Sequence, residues 1–540
     1  MDAYLSEWQS GNRWRTVFVV MITILTLFAW INRFVQDDAF ISFRYARNLV
    51  DGFGLVWNPG ERVEGYTNFL WTLIIAGGLK MGLPAPETAV TVGLLLFPVS
   101  LILIYFISKK VVDDKWQSLL VVVLTGTNYT FSCYATGGLE TQLQACLVLV
   151  ASFIVIGANV WTRKRALLLS LVFALGLMTR LDYAVFACVL GLTALFVEVR
   201  SGKIRLSLLT IDLAVCLILP VVVIVGFWLT WKFWYYGDIL PNTYYVKAFH
   251  LMSVKTGVKY IYHFLASYCL FPFFLLMAVP AAWVLLRVRS SMLPFTGMVA
   301  LWVIYIVNVG GCFMEFRLLV PVIPFIMLFL VWMFYDSGLI SGPFRFVCVT
   351  TVLVGSVMHM ATYRCTSVGV ESISDLKSDV SPWVRIGQEF GAVLHKSGLV
   401  ISTTAAGAIP YYSGLITIDE HGLNDKWVAK YGKVVGNKPG HQRESSIEYL
   451  MKRKVNLVVD PFMIVSLDQD PANWKVFAER IVMEYCGESQ YKPMNVTFVR
   501  IPLAGSKDAV AVWYLNKNPE FDAVVRAHEW AQLDFVMNWL

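Results

Sequence analysis

A chain of 540 residues that is 57% hydrophobic and only 15% charged, with a mean hydropathy of +0.62, cannot be an ordinary soluble globule. Its net charge of +7 is small for this length. It comes with no basic tract or nucleic-acid motif, so nucleic acid is not expected as a partner, and it suits a cytoplasmic excess of Lys and Arg on a membrane protein.

Arg13 and Arg15 precede the first apolar run, and no small-residue cleavage site follows it, so this run is expected to be a retained span. Runs long enough to span recur at 14–34, 69–85, 88–107, 117–132, 139–160, 165–198 (one span or two short helices), 210–234, 263–286, 293–310, 317–335 and 343–362. The expected fold is a polytopic α-helical membrane protein with about 11–13 spans. Arg13 and Arg15, Lys203 and Arg205, and Arg287 and Arg289 mark cytoplasmic ends. They place the loops 37–68, 235–262 and 310–317, and everything after the last span, on the opposite side. Arg163-Lys164-Arg165 also asks to be cytoplasmic, but counting crossings puts it outside unless a segment between 69 and 140 is re-entrant or split. The nine cysteines lie mostly inside these apolar runs and never as C-x-x-C, so neither a disulfide framework nor a zinc site is expected.

From about Tyr363 the long apolar runs stop. Val400–Thr404, Leu415–Ile418 and Val455–Val459 read as short strands, and Ser445–Lys454 as a helix. The chain is therefore divided into a membrane domain, 1–365, and a soluble extracytoplasmic α/β domain, 366–540.

The polar chemistry is concentrated just after the first span, in Gln36-Asp37-Asp38 and the residues up to Asn68. Two adjacent carboxylates there need water, a cation or a substrate group to offset their desolvation. Apolar and aromatic residues from Phe40 to Val50 alternate with Arg44 and Arg47, a pattern suited to a short helix lying along the interface. Arginine forks bind phosphate bidentately, and paired carboxylates act as a general base or hold a divalent cation. The same charges can also neutralise one another in a plain interfacial loop. Glu140 opens an apolar run, either as a charge favourable to the helix macrodipole or as a further acid in a cleft. Arg180 and Asp182 sit between two apolar halves, as a functional or a structural pair. Asn242, Tyr244 and Lys247 follow Pro241 on the side opposite the cytoplasm, where Lys247 is either a point charge for a phosphate or an interfacial anchor. Arg317 at a span end binds phosphate or snorkels. Asp419-Glu420-His421 lacks a distinctive metal-ligand spacing, and there is neither a nucleophile elbow nor a phosphate loop.

The run DDAFISFRYARNLVDGFGLVWNPGERVEGYTNFLW (residues 37–71) resembles the first extracytoplasmic loop of bacterial GT-C glycosyltransferases. The likeness is to the group of the mycobacterial terminal arabinofuranosyltransferase and the pilin arabinosyltransferases. Gly138-Leu139-Glu140-Thr141, Gly237–Thr243, Gly310–Arg317 (with Cys312 where Asp is usual), Ala406–Ser413 and Asp419–Asp425 are similar to the same group. The resemblance implies a polyprenyl-phosphate sugar donor, a glycan or protein acceptor, and a catalytic Asp at Asp37 or Asp38. It places Arg44, Arg47, Lys247 and Arg317 at the donor phosphate, and Glu64, Tyr66, Glu140, Asn242 and Tyr244 along the cleft. It implies a bacterial inner membrane location among lipid, transfer of arabinofuranose by inverting displacement, and no certain cofactor, with a divalent cation as the one to consider. The rival readings are a transporter or flippase of lipid-linked sugars, against which no inverted repeat is visible, and a glycan-binding scaffold without catalysis.

Overall fold

Backbone groups in hydrocarbon must be satisfied within their own segment, and the apolar runs accordingly fold as helices. The structure, a computed structural model, describes residues 12–157, 161–200, 208–248, 254–274, 292–336, 340, 342–363, 369–395, 397–436, 441–469, 471–537 and 539. Among these, Arg13–Ile31, Ala85–Val112, Asp212–Tyr236 and Gly342–Thr362 are long and apolar enough to cross a membrane. Phe69–Lys80, Thr141–Ile156, Leu181–Leu195, Leu293–Asn308 and Ile323–Tyr335 are shorter apolar helices.

The expected 165–198 segment is two helices, Arg163–Thr179 and Ala184–Arg200, joined by a 3-10 turn at Leu181–Tyr183. The segment expected at 117–132 is split at Asn128, whose side chain caps the second piece by accepting from the Phe131 amide. The expected 235–262 loop instead carries two helices, Asn242–Ala248 and Val254–Ser267. Much of the expected 263–286 span, with Arg287 and Arg289, lies outside the described residues.

The first loop forms a helix, Asp37–Val50. The Gln36 side chain caps it by accepting from the Asp38 amide, two acids occupy its first turn and Arg47 its last, as the macrodipole favours. It does not lie along a membrane surface with one face wet. Ten of its fourteen residues are buried, because the C-terminal domain covers the side that the helix bundle does not.

That domain is a three-layer α/β unit. Strands β1 (Val400–Thr403), β2 (Ile416–Asp419), β5 (Leu457–Val459), β6 (Ile464–Ser466), β7 (Asn495–Pro502), β8 (Asp508–Tyr514) and β9 (Gln532–Val536) form one sheet in the order β2-β1-β5-β8-β7-β9, with β6 also on β8. The short pair β3 (Lys433–Val434) and β4 (Arg443–Glu444) stands apart. β2, β1 and β5 are parallel, and the rest pair antiparallel. Side chains alternate across a strand: in β8, Ala509, Ala511 and Trp513 enter one core while Val510, Val512 and Tyr514 enter the other. Ile447, Leu450, Trp474 and Val482 from two helices cover the first face. Ile386 and Phe390 of the helix Ile373–Val393, with Ile409, Phe521 and Val525, cover the second. Ile373, Leu376, Val380, Ala408 and Tyr411 join the apolar core of the helix bundle, so the two domains share packing.

Candidate active site

The three parallel strands end at one edge, and the carboxyl ends of parallel strands are where α/β sheets bind ligands. The loops that follow supply Thr404, Ala405 and Ala406 after β1, His421 and Leu423 after β2, and Pro461 and Phe462 after β5. Facing them is the start of the first-loop helix, with Gln36, Asp37 and Asp38. Between the two lies a cleft of about 870 Å³, open to solvent and lined also by Phe313, Glu371, Asp379, Trp383 and His441.

The two acids are not equivalent there. Asp37 is buried, and its carboxylate accepts from two backbone amides of the C-terminal domain, Oδ1 from Ala408 at 2.8 Å and Oδ2 from Gly407 at 3.0 Å. Burial pushes this carboxyl up to about 7 even though both amides pull it down. Gly407 permits the approach, since a Cβ there would lie 2.0 Å from the Asp37 carbonyl oxygen. Asp38 is only half-buried.

The Asp419-Glu420-His421 run is built into the fold in three different ways. Asp419 is buried and accepts from the amides of His421, Gly422 and Asn424 and from the Asn424 side chain, and burial lifts it to about 6. Glu420, bonded to the Tyr485 hydroxyl, is lifted by burial to about 8. His421 reaches the cleft with Nδ1 3.0 Å from the Arg443 carbonyl oxygen, a contact that places its proton on Nδ1. His441 packs edge-on against His421 at 4.7 Å. Among the described residues no three His, Cys, Asp or Glu side chains are grouped to hold a metal ion. Each oxygen of Asp37 already accepts from a backbone amide, so the Asp pair is not a ready two-carboxylate ligand set.

Three of the residues expected at the phosphate or along the cleft, Arg44, Arg47 and Asn242, instead join the two domains. Arg44 is buried, and its guanidinium donates to the carbonyls of Trp57, Pro410 and Leu415 and to Asn58 Oδ1. With its donors spent on these acceptors it is not placed to bind phosphate. Arg47 donates to the Tyr411 carbonyl at 2.7 Å and lies over the Tyr411 ring at 3.7 Å. Asn242 donates to the carbonyls of Gly422, Leu423 and Asp425. Glu64 accepts from the Asn242 amide through its carbonyl. Its side chain, lifted to about 7 by burial against the pull of Lys232, pairs with Lys232 at 2.9 Å and borders a separate small cavity with Asn242. Tyr66 is buried with its hydroxyl 3.2 Å from that of Tyr236, and Tyr244 is exposed.

Glu140 sits in a closed network, bound by Arg180 at 2.8 Å, Arg317 at 2.6 Å and Asn68 at 2.8 Å. Arg180 also pairs with Asp182, which accepts from Gln144 and Tyr305. None of Glu64, Tyr66, Glu140, Asn242 and Tyr244 lines the Asp37–Asp38 cleft. The side chain of Lys247 lies outside the described residues. Glu371, Asp379, Trp383 and Phe462 complete the cleft and were not foreseen, since single polar or aromatic residues between amphipathic segments carry no local signal.

Residues 378–502 match a family model described as a domain of unknown function, DUF8728. The chain is 24% identical over 276 residues to a terminal beta-(1->2)-arabinofuranosyltransferase of Mycobacterium tuberculosis, a match covering 48% of this chain and 42% of that protein. It is 41% identical over 63 residues to the protein of the same name from Corynebacterium glutamicum, covering 11% of this chain and 9% of the other. The chain thus spans less than half the length of these relatives. In fold it is similar to ArnT from Cupriavidus metallidurans bound to undecaprenyl phosphate, with a TM-score of 0.55 at 11% identity over 94% of this chain and 100% of ArnT. The apo form of ArnT gives 0.52. The likeness to terminal arabinofuranosyltransferases first seen in residues 37–71 is borne out, and the fold, apolar helices followed by a C-terminal sheet domain, is similar to that of ArnT.

Proposed function

We propose that this chain is a membrane glycosyltransferase that moves a sugar from a lipid-linked donor to a hydroxyl of a glycan or protein held in the Asp37–Asp38 cleft. The observation that carries this reading is the convergence of three strand-end loops on the acidic start of the first-loop helix, directly against the membrane bundle. Similarity to the two named relatives favours arabinofuranose as the sugar, and the undecaprenyl phosphate bound by ArnT supports a polyprenyl phosphate as the carrier. The spread of Arg and Lys along the chain supports an active face outside the cytoplasm, at a bacterial inner membrane. Reporter fusions that fluoresce only in the cytoplasm should be dark after Leu540, and a bright fusion would refute this orientation.

Asp38 acts as the base. Its carboxylate takes the proton of the acceptor hydroxyl as that oxygen bonds to the anomeric carbon. The bond from the anomeric carbon to the phosphate oxygen breaks, its electron pair leaves with the lipid phosphate, and the single displacement inverts the centre. Asp37 fixes the base in place by joining the first-loop helix to Gly407 and Ala408. Arg47, with one guanidinium bond to the Tyr411 carbonyl, Arg317 and Lys247 are the remaining choices for the phosphate, because the Arg44 guanidinium is committed to three carbonyls and Asn58. Transfer of radiolabelled sugar from a polyprenyl-phosphate donor by the purified protein tests the reading; no transfer to any glycan or protein acceptor would overturn it.

A further inference from the structure

Glu315 is 1% exposed, yet its carboxylate gathers three other segments. Its Oε1 accepts from His359 Nε2 at 2.8 Å and from the Thr130 hydroxyl at 3.3 Å, and its Oε2 accepts from the Ile373 amide at 2.8 Å. Thr130 in turn meets the Tyr268 hydroxyl at 2.7 Å, and the Tyr268 ring stacks on His359 at 4.2 Å. Among the described residues His359 Nδ1 has no hydrogen-bond partner, so the bond to Glu315 is the one polar contact of this buried imidazole. The proton is assigned to Nε2 on that ground, because a buried N–H without a partner costs more than a bare ring nitrogen.

The backbone at Glu315 is tied to the cleft wall. The Glu315 amide donates to the Glu371 carbonyl at 3.1 Å, and the Glu371 amide donates to the Phe313 carbonyl at 2.7 Å. Phe313 and Glu371 both line the cleft, and the Phe313 ring meets His441 edge-on at 4.9 Å. The next residue, Phe316, has a φ of 42°, the left-handed region that a bulky side chain rarely adopts. That turn sends two neighbouring charges to different partners, Glu315 to His359 and Ile373, and Arg317 to Glu140 and Thr141. A strained residue between a buried carboxylate and a part-buried guanidinium persists only where its surroundings hold it, and such places cluster at functional sites.

We propose that Glu315, held by His359, is a positioning residue for sugar transfer, fixing the Phe313–Glu371 wall of the cleft against the helix bundle. The proposal rests on reading the cleft as the transfer site. It touches no reacting atom.

The test uses the full chain in lipid nanodiscs, a radiolabelled polyprenyl-phosphate donor and a synthetic alkyl arabinofuranoside as acceptor. Glu315→Gln and His359→Leu should raise the KM for acceptor about tenfold while the KM for donor stays within about twofold. His359→Gln, whose amide still donates to Glu315, should recover most of the acceptor affinity. Amide hydrogen exchange at Glu371 and Ile373 should be at least about tenfold faster in Glu315→Gln than in wild type. Unchanged acceptor KM, or a rate loss that tracks only the folded fraction, would overturn the proposal. If wild type transfers no sugar, the reading of the cleft falls, and the exchange measurement alone still decides whether Glu315 holds the wall.

Discussion

Asp37→Asn keeps the shape of the side chain but removes its charge and one of its two amide acceptors, so the pH-dependent part of its effect reads what burial of that charge costs. The folded chain holds this carboxyl at about 7 against an ordinary 3.8, with burial outweighing the two amides that bond it. The folded state therefore binds the proton more tightly than the unfolded state does. The stability this group contributes is complete below about pH 4, falls as pH rises from about 4 to about 7, and the loss reaches about 4 kcal/mol. Asparagine is neutral throughout but offers one acceptor oxygen to the two amides of Gly407 and Ala408, so near pH 4 the variant should be the less stable by about 1–3 kcal/mol, and the difference should move in its favour by about 4 kcal/mol as pH rises past about 7, leaving it the more stable there. Glu64 and Glu420, also lifted by burial, titrate in both proteins and cancel in the difference, whereas the charge of Asp419 acts on Asp37 and its share belongs to the shift that is read. Thermal unfolding in nanodiscs at a series of pH values reads that difference. The reasoning is refuted if the variant is instead less stable at pH 8 by the roughly 1.5–3 kcal/mol of a lost charge-assisted hydrogen bond, for then the Gly407 and Ala408 amides outweigh burial.

Asp38→Asn should lower transfer by about two to four orders of magnitude while fold and donor binding persist; near wild-type transfer would remove Asp38 as the base. Arg44→Ala uncovers the carbonyls of Trp57, Pro410 and Leu415, and should cost at least about 3 kcal/mol and speed proteolysis between the domains; unchanged proteolysis would show that Arg44 does not hold them together. Gly407→Ala sets a methyl against the Asp37 carbonyl oxygen, so the unfolding midpoint and transfer should drop together, and a fully active, equally stable variant would contradict this packing.

The sequence alone was enough to mark the membrane class, the change of character near residue 363 and the concentration of polar residues around Asp37 and Asp38. Each of these is written locally, in hydropathy, in periodicity or in an unbroken run of polar residues. His421 stands in the Asp419-Glu420-His421 run, although only the end of β2 brings it opposite the two acids. The roles of Arg44, Arg47 and Asn242 were decided elsewhere. Their partners, Pro410, Tyr411 and Gly422, lie 366, 364 and 180 residues away, and nothing near an arginine tells whether its fork will meet a phosphate or a carbonyl. Glu315 and His359 are separated by 44 residues, each in a run that reads as apolar. Burial and partnership are properties of the packed whole. The sequence determined which groups are costly to bury, and only the tertiary structure decided which of them are satisfied by the protein itself and which are left facing the cleft.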